Sequence, residues 1–537
     1  NLEKKLKYFE TMQSLSQKMG CNLDDNLGTT TPWEIYVYNE LYKEGISLPP
    51  TKQENENDIY HGGYIYADVG IWRWVMSEDV TSQYPSNLIA MNMSPETYIQ
   101  RKDIPEDLLE EIQELHSAEY PEDIIIEKWD VIKKNRVTEL LNKHDISMSI
   151  NGACFTRKKE GIIPKLVQAV FDERKEFKAL MKKAEDGSDE KSYYDLRQYT
   201  AKILINSVYG AVGSKWFILS NKDIAHAITA YGRYTIKVTG DYIINKTDEM
   251  FKQKGILKRV YTHTDSFFLD MSKLVELVED KKDIKLSRKQ TADFLSNFDK
   301  KHIQNWIREI SHDTWKQFNG TKDCIFFDRE KICHMILAGK AKYAVELVDN
   351  EGKYYENQKV AITGLETKRS DTPTIIRDTL DKAISIMFDN DNMKLINFIE
   401  NFRDEYYKGI DIDDIASPTG VSNISKHEAE KQRATPIHVR ASMNYNKFIK
   451  AKDIEKDGFQ PITDGEKIKW LRLKDNPFIK DDVIAYNDKS IFREFDLLKY
   501  MDTDTMYEKT FVKKVLSLCE TVNMKMDINS FLADELF

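Results

Sequence analysis

Two aspartates carry the most chemical promise in this sequence. Asp79 opens the run Asp79-Val-Thr-Ser-Gln-Tyr-Pro-Ser86, and Asp265 sits in Thr264-Asp-Ser266. Singly, each is ordinary: an acid at a strand end can cap the helix that starts near Pro85, and Thr-Asp-Ser is a common turn composition. Together they can do more. Carboxylates delivered by adjacent strands can bridge two divalent cations about 3.5 to 4 Å apart, one lowering the pKa of an attacking hydroxyl and the other stabilising a leaving pyrophosphate. Mg²⁺ prefers oxygen ligands and keeps waters and substrate phosphates, so two aspartates and a backbone carbonyl suffice.

Opposite charge comes from a second region. Arg174 and Lys178 stand one helical turn apart, where like charges repel unless something anionic lies against them. A triphosphate fits that need; the alternative is a solvated face satisfied by Glu173 and Glu176. Lys202, Asn206 and Tyr209 follow at i, i+4 and i+7, a single stripe in which the lysine can hold phosphate and the ring offers a flat surface to a base pair.

The elements that must position these groups are legible from periodicity and turn chemistry. Residues 1 to 50 read as two helices separated by the polar turn Asn22 to Thr31, with Pro32 opening the second; Pro49-Pro50 and the stretch to Asp58 read as a linker. Tyr64 to Val80 reads as extended and delivers Asp79 at its end. Ile163 to Ala184 and Tyr194 to Tyr209 are helical, and the turn Glu185 to Ser188 makes them an antiparallel hairpin. Lys258 to Met271 reads strand, turn, strand, with Asp265 at the turn.

Bulk properties bound the rest. A chain of 537 residues exceeds the roughly 250 to 300 at which single cores stop growing, so about three domains are expected. With 41% hydrophobic residues it can bury real cores, and no apolar run approaches the roughly 18 residues of a membrane span. Five scattered cysteines without a C-x-x-C pair suit free thiols in a reducing compartment, and the spacing of Cys324, Cys333 and His334 is wrong for zinc. A net charge of -10 argues against a generally sticky nucleic-acid binder, so any such site must be local. Eleven acids between 103 and 130 suggest a solvated helical face. Arg329, Lys331, Lys340, Lys342, Lys368 and Arg369, then Lys431, Arg433, His438 and Arg440, could line a phosphate track, the plainer reading being surface solubility.

The three runs Asp79-x-x-Ser-x-Tyr-Pro-Ser86, Lys202-x-x-x-Asn-Ser-x-Tyr-Gly210 and Thr264-Asp-Ser266, in this order, resemble the polymerase motifs of family B DNA polymerases. Agreement is closest with the T-even type bacteriophage group, and Gly364 to Pro373, Pro436 to Arg440 and Asn476-Pro-Phe478 resemble that group's thumb. The resemblance implies an α+β multidomain, right-hand fold: a helical remnant or connector over 1–50, palm over 51–160 and 215–364 with an antiparallel sheet plus helices, helical-hairpin fingers over 161–214, and a mixed thumb over 365–537. It implies a template-directed, primer-extending DNA polymerase with two Mg²⁺ ions, for which Mn²⁺ can substitute. Its partners would be primer–template DNA, deoxynucleoside triphosphates and a sliding clamp, with no membrane, in the cytoplasm of an infected bacterial cell.

Residue by residue, the resemblance makes Asp79 and Asp265 metal ligands with the Val80 carbonyl assisting. Ser82, Arg174, Lys178, Lys202, Asn206 and Tyr209 match the nucleotide site, and Tyr84 matches the residue that leaves no room for a 2′-hydroxyl. Asp328 and Glu330 match acids near the metals, and Lys340, Lys342 and Tyr343 match the primer-strand contact. The apolar Phe531, Leu532, Leu536 and Phe537 resemble a clamp-binding tail, with docking onto the chain's own thumb as the alternative.

Three departures accompany the likeness. The resemblance implies an exonuclease domain ahead of residue 1, which the sequence does not include, and this suggests a fragment, a processed product or one half of a split polymerase with a separate exonuclease chain. His263 stands where an Asp is usual, and Ala341 where a second Lys is usual. One negative and one positive charge are lost together, so the two read as a compensated pair; the alternative function is a catalytically weak subunit that only binds primer–template and clamp.

Overall fold

Gly70 to Val80 alternates and clusters Trp72, Trp74, Val75, Met76 and Val80, side chains that fit a pleated, buried surface, and it forms the long strand β2 (Gly70–Val80). The computed structural model describes residues 7–48, 61–116, 129, 134–407, 411–429, 435–454 and 458–526. The linker expected before Asp58, Lys431 and Arg433, and the apolar tail with Phe531, Leu532, Leu536 and Phe537 lie outside the described residues.

The chain divides into two compact units, Asn1–Tyr66 with Met76–Lys331, and Ala67–Val75 with Ile332–Phe537. The first holds helices α1 (Tyr8–Met19) and α2 (Thr30–Lys43), then β1 (Ile65–Ala67, to Tyr66 in this unit) and the end of β2. Next come α3 (Gln83–Met91), β3 (Tyr98–Ile99), α4 (Glu106–Ile112), α5 (Lys134–His144), β4 (Ile146–Met148) and β5 (Cys154–Thr156). Two long helices, α6 (Ile162–Lys183) and α7 (Asp189–Val212), precede α8 (Lys222–Phe251) and the hairpin β6 (Lys258–His263) and β7 (Ser266–Asp270). The unit closes with α9 (Ser272–Lys282), α10 (Arg288–Phe298), α11 (Gln304–Gln317) and the start of β8 (Phe327–Gly339). Strand order there is β1-β6-β7-β2-β8, with β6 and β7 antiparallel, His263 opposite Ser266. The expected elements are present: the strand ending beyond Asp79, the turn at Asp265 and the two-helix hairpin.

Helix α6 pairs antiparallel with α7, since Arg197 meets Glu173 and Tyr193 and Tyr194 meet Phe177, partners that close in sequence toward the turn. Ser188 caps α7 by accepting from the Lys191 N–H at 3.1 Å, as a short polar residue at that position should. The N-terminal helices brace this hairpin. Buried Trp33 donates its indole N–H to Ser207 Oγ at 3.0 Å, and Lys18 pairs with Glu173.

In the second unit β2 and β8 are followed by β9 (Lys342–Asn350), on which β10 (Lys353–Tyr354) and β11 (Val360–Thr363) both pair antiparallel. Helices α12 (Thr374–Met387), α13 (Asn392–Tyr407) and α14 (Ile437–Lys452) then surround a core that includes Leu380, Ile384, Phe402, Tyr445 and Ile449. Pro373 and Pro436 stand immediately before α12 and α14, where a missing N–H costs nothing. A three-stranded sheet, β12 (Ser417–Gly420), β13 (Lys467–Arg472) and β14 (Val483–Tyr486), completes it.

Candidate active site

Asp79 reaches its position one residue before the end of β2, and Asp265 sits in the two-residue turn between β6 and β7. The Val80 N–H donates to the Asp265 carbonyl at 2.7 Å, so backbone pairing fixes one acid against the other. The Asp265 turn is strained: Thr264, a β-branched residue, takes a left-handed φ of 55° and is tied down by donating its N–H to Tyr64 O at 2.9 Å. Gly63 makes room for it, because a Cβ there would meet Thr264 Oγ1 at 2.5 Å and its Cα at 2.9 Å. Ser82, three residues after Asp79, is also left-handed, φ 48°, at the entry to α3. Non-glycine residues in this conformation cluster at sites where the surroundings over-determine the backbone.

Electrostatics single out the same place. Burial, and then the neighbouring carboxylates of Asp265 and Glu330, push the Asp79 carboxyl up to about 7; Lys331 opposes this and Asp328 adds to it. Asp265 is likewise raised by burial and by Glu330, with His263 acting in the opposite sense. Asp328 accepts a hydrogen bond from Thr81 Oγ1 at 3.3 Å, and Glu330 pairs with Lys331 at 2.5 Å. Four acids are thus gathered at one end of β2, β7 and β8, and Lys331 opposes their effect on Asp79. Among the described residues no three His, Cys, Asp or Glu side chains stand close enough to hold an ion unaided.

Among the described residues, Arg174, Lys178 and Lys202 on the helical hairpin make no ion pair. Glu173, which could have neutralised Arg174, is instead taken by Lys18 and by Arg197 at 2.8 Å. The Arg174 guanidinium is half-buried, its Nε has no hydrogen-bond partner among the described residues, and burial lowers its affinity for its proton. Lys178 is exposed. On α7, Ala201, Leu204, Ile205 and Val208 are buried while Lys202 and Asn206 are exposed and Tyr209 half-buried, so the stripe faces outward as its spacing requires. The Tyr209 ring packs on Tyr84 with centroids 4.4 Å apart and planes at 46°. Sequence spacing placed these two tyrosines in separate motifs 125 residues apart; the structure joins them.

Other expectations fare differently. Arg329 lines no phosphate track: strand alternation turns it away from Asp328 and Glu330, and its side chain is 7% exposed beside Asp299. Lys368, Arg369 and Arg440 are engaged by Asp381, by Asp371 and Glu366, and by Asp481 and Asp482, which is the plainer solvated reading. Of the acidic stretch, Asp107 pairs with Lys143 and His144. In the second unit, Lys340 and Lys342 are exposed around the β8–β9 turn, where Ala341 takes a φ of 56° and Tyr343 lies opposite Thr363. Gly364 fits against that turn, since a Cβ there would meet the Ala341 carbonyl oxygen at 1.9 Å. The two altered positions therefore fall one in each unit. The acids Glu78 and Asp299 were not anticipated; a second acid directly beside Asp79 in the strand was the available signal for the first, and no local signal marked the second.

A family-wide profile for DNA polymerase family B matches residues 30–457. The chain belongs to DNA polymerase family B. This family B chain is 25% identical to the DNA-directed DNA polymerase of Escherichia phage RB69 and 26% identical to that of Enterobacteria phage T4, each match covering 94% of the chain and 59% and 60% of the relative. It is 25% identical to a DNA polymerase of Pyrococcus glycovorans over 72% of the chain and 40% of the relative. It thus spans about three fifths of the length of the phage relatives. A solved family B DNA polymerase from the archaeon Pyrobaculum calidifontis shares its fold, with a TM-score of 0.58 at 17% identity over 97% of this chain and 54% of that one. The mixed helix and antiparallel-sheet architecture of the family is therefore present here. Among the described residues no helix is long and apolar enough to cross a membrane.

Proposed function

We propose that this chain is the polymerising core of a template-directed, primer-extending DNA polymerase, with palm over 51–160 and 215–364, fingers over 161–214 and thumb over 365–537. The observation that carries the reading is the juxtaposition of Asp79 and Asp265, fixed by the Val80 N–H bond to the Asp265 carbonyl: both half-buried carboxyls are raised, chiefly by burial, Asp265 raises Asp79 further, and a divalent cation would stabilise such a pair in its charged form. Asp79, Asp265 and the Val80 carbonyl form an all-oxygen donor set that suits Mg²⁺. When bound, two such ions acidify the primer hydroxyl and offset charge on the leaving pyrophosphate.

The chain's own residues do the rest. Arg174, Lys178 and Lys202 hold the triphosphate of the incoming nucleotide, supported by Asn206 and Ser82. Tyr84, backed by the Tyr209 ring, closes the space a 2′-hydroxyl would occupy. Asp328 and Glu330 shape the field at the acids, and Lys340, Lys342 and Tyr343 contact the primer strand. Phe531, Leu532, Leu536 and Phe537 serve as a sliding-clamp tail. Primer extension with deoxynucleoside triphosphates and Mg²⁺ tests the reading: template-dependent extension supports it, and binding of primer–template without extension would leave the weak binding subunit suggested by His263 and Ala341.

A further inference from the structure

Behind the carboxylates lies a second polar cluster that the proposed chemistry does not use. Side chains alternate along a strand, so Glu78 points away from the face that carries Asp79, and Arg329 away from the face of Asp328 and Glu330. Both turn toward the helical side, where Glu78 is 0% exposed and Asp299 is 2% exposed. One amide joins them: Gln304 Nε2 donates to Glu78 Oε2 at 2.9 Å and to Asp299 Oδ1 at 3.0 Å. Arg329 Nε stands 3.8 Å from Asp299 Oδ2. Glu78 Oε1 is buried without a hydrogen-bond partner among the described residues.

The helix is built for this contact. Residues five apart on an α-helix diverge by about 140° around the axis and do not share a face. Between α10 and α11, however, Asp299–Ile303 forms a π turn, whose wider winding brings Asp299 and Gln304 onto the same side. Such turns are rare and frequently mark functional sites. Buried acids beside one guanidinium are poor sources of stability compared with apolar residues of the same volume, so stability does not account for the cluster. What the links do is tie β2 to β8 through the helix pair. Beside them the Lys331 N–H donates to buried Ser77 Oγ at 3.1 Å, a further polar tie between the same strands. A slip of one residue would turn every side chain over, and these links tolerate none.

We propose that Glu78 and Gln304 are positioning residues, whose hydrogen bonds behind the sheet hold Asp79 in register with Asp328 and Glu330. The inference rests on the polymerase reading above. It is tested in the full chain with Glu78→Leu, Glu78→Gln, Gln304→Leu and the Leu/Leu double variant. Misplacement on the ångström scale costs up to about a hundredfold in rate, so Glu78→Leu lowers kcat about tenfold to a hundredfold while the nucleotide KM stays within about threefold. Its Tm and primer–template affinity match the wild type. Mn²⁺ binding to the protein on a non-extendable primer–template, read by electron paramagnetic resonance, weakens in parallel. Glu78→Gln, which keeps an acceptor for Gln304 in a side chain of nearly the same volume, recovers most of both losses. The double variant is no slower than the slower single, because both remove one link.

Unchanged kcat and Mn²⁺ binding in Glu78→Leu, a loss that tracks Tm or DNA affinity, or a Gln variant as slow as the Leu variant each overturns the positioning role. A wild-type chain that fails to extend primers overturns the polymerase reading instead.

Discussion

The backbone N–H of Val80 donates to the carbonyl oxygen of Asp265 at 2.7 Å, so the strand that carries Asp79 and the turn that carries Asp265 are one mechanical unit. Replacing either residue by Ala leaves that backbone bond available and removes the carboxylate oxygens. Asp79→Ala and Asp265→Ala should each reduce extension by about a thousandfold or more, since metal-mediated stabilisation is worth several kcal/mol. Primer–template affinity, measured by fluorescence anisotropy, should be largely retained, because phosphate contacts elsewhere carry it.

The raised Asp79 carboxyl predicts a pH signature in metal-free protein. In the unfolded chain an aspartate titrates near about 4, whereas in the fold Asp79 titrates at about 7, so across this window the folded state binds more protons. Stability from this group therefore falls as pH rises from about 4 to about 7 and is level above. The groups acting on it are Asp265, Glu330 and Asp328, which raise it, and Lys331, which lowers it. Asp79→Asn removes the effect: its Tm advantage over wild type, by calorimetry in EDTA, should grow through that window. A difference independent of pH would refute the assignment.

Glu173 and Lys202 test the proposed division between structural and nucleotide-binding charge on the same hairpin. Glu173 joins Lys18 of α1 to Arg197 of α7, so Glu173→Ala should cost about 1 to 3 kcal/mol of stability and lower Tm with little change in nucleotide KM. Lys202 is exposed, so Lys202→Ala should leave Tm unmoved and raise the nucleotide KM at least about tenfold through loss of a phosphate contact.

Tyr84→Ala should keep DNA synthesis measurable while admitting ribonucleotides, read as the ratio of kcat/KM for matched deoxy and ribo substrates. Its ring packs on Tyr209, so Tyr209→Ala should relax the same ratio more weakly. An unchanged ratio in Tyr84→Ala would reduce the pair to packing.

Gly63→Ala places a methyl 2.5 Å from Thr264 Oγ1 and 2.9 Å from its Cα. The turn must then shift Asp265, and extension should slow about tenfold or more with primer–template affinity preserved. Full activity would mean that the turn adapts without moving the carboxylate.

Local patterns made much of the fold readable. Helical periodicity over Ile163 to Ala184 and the turn Glu185 to Ser188 depend on neighbours within a few residues, and the hairpin α6–α7 formed where they indicate. The same holds for the strand ending beyond Asp79 and the turn at Asp265. Arg329 shows the limit. Its composition suggested a phosphate contact, but its direction follows from strand alternation in β8 and from an acid on the helix behind it.

By itself, then, the sequence determined which residues could do chemistry, the order of their motifs and the elements that bear them, because side-chain type, period and turn propensity are short-range properties. Only the tertiary structure decided which charges meet. Asp79 feels Asp265 and Glu330, Glu173 is claimed by Lys18 and Arg197, Tyr84 rests on Tyr209, and Asp299 reaches Glu78 through Gln304. These encounters join residues tens to hundreds of positions apart. Strand order, register and one π turn bring them together, and those are settled by the packing of the whole chain rather than by any short stretch of it.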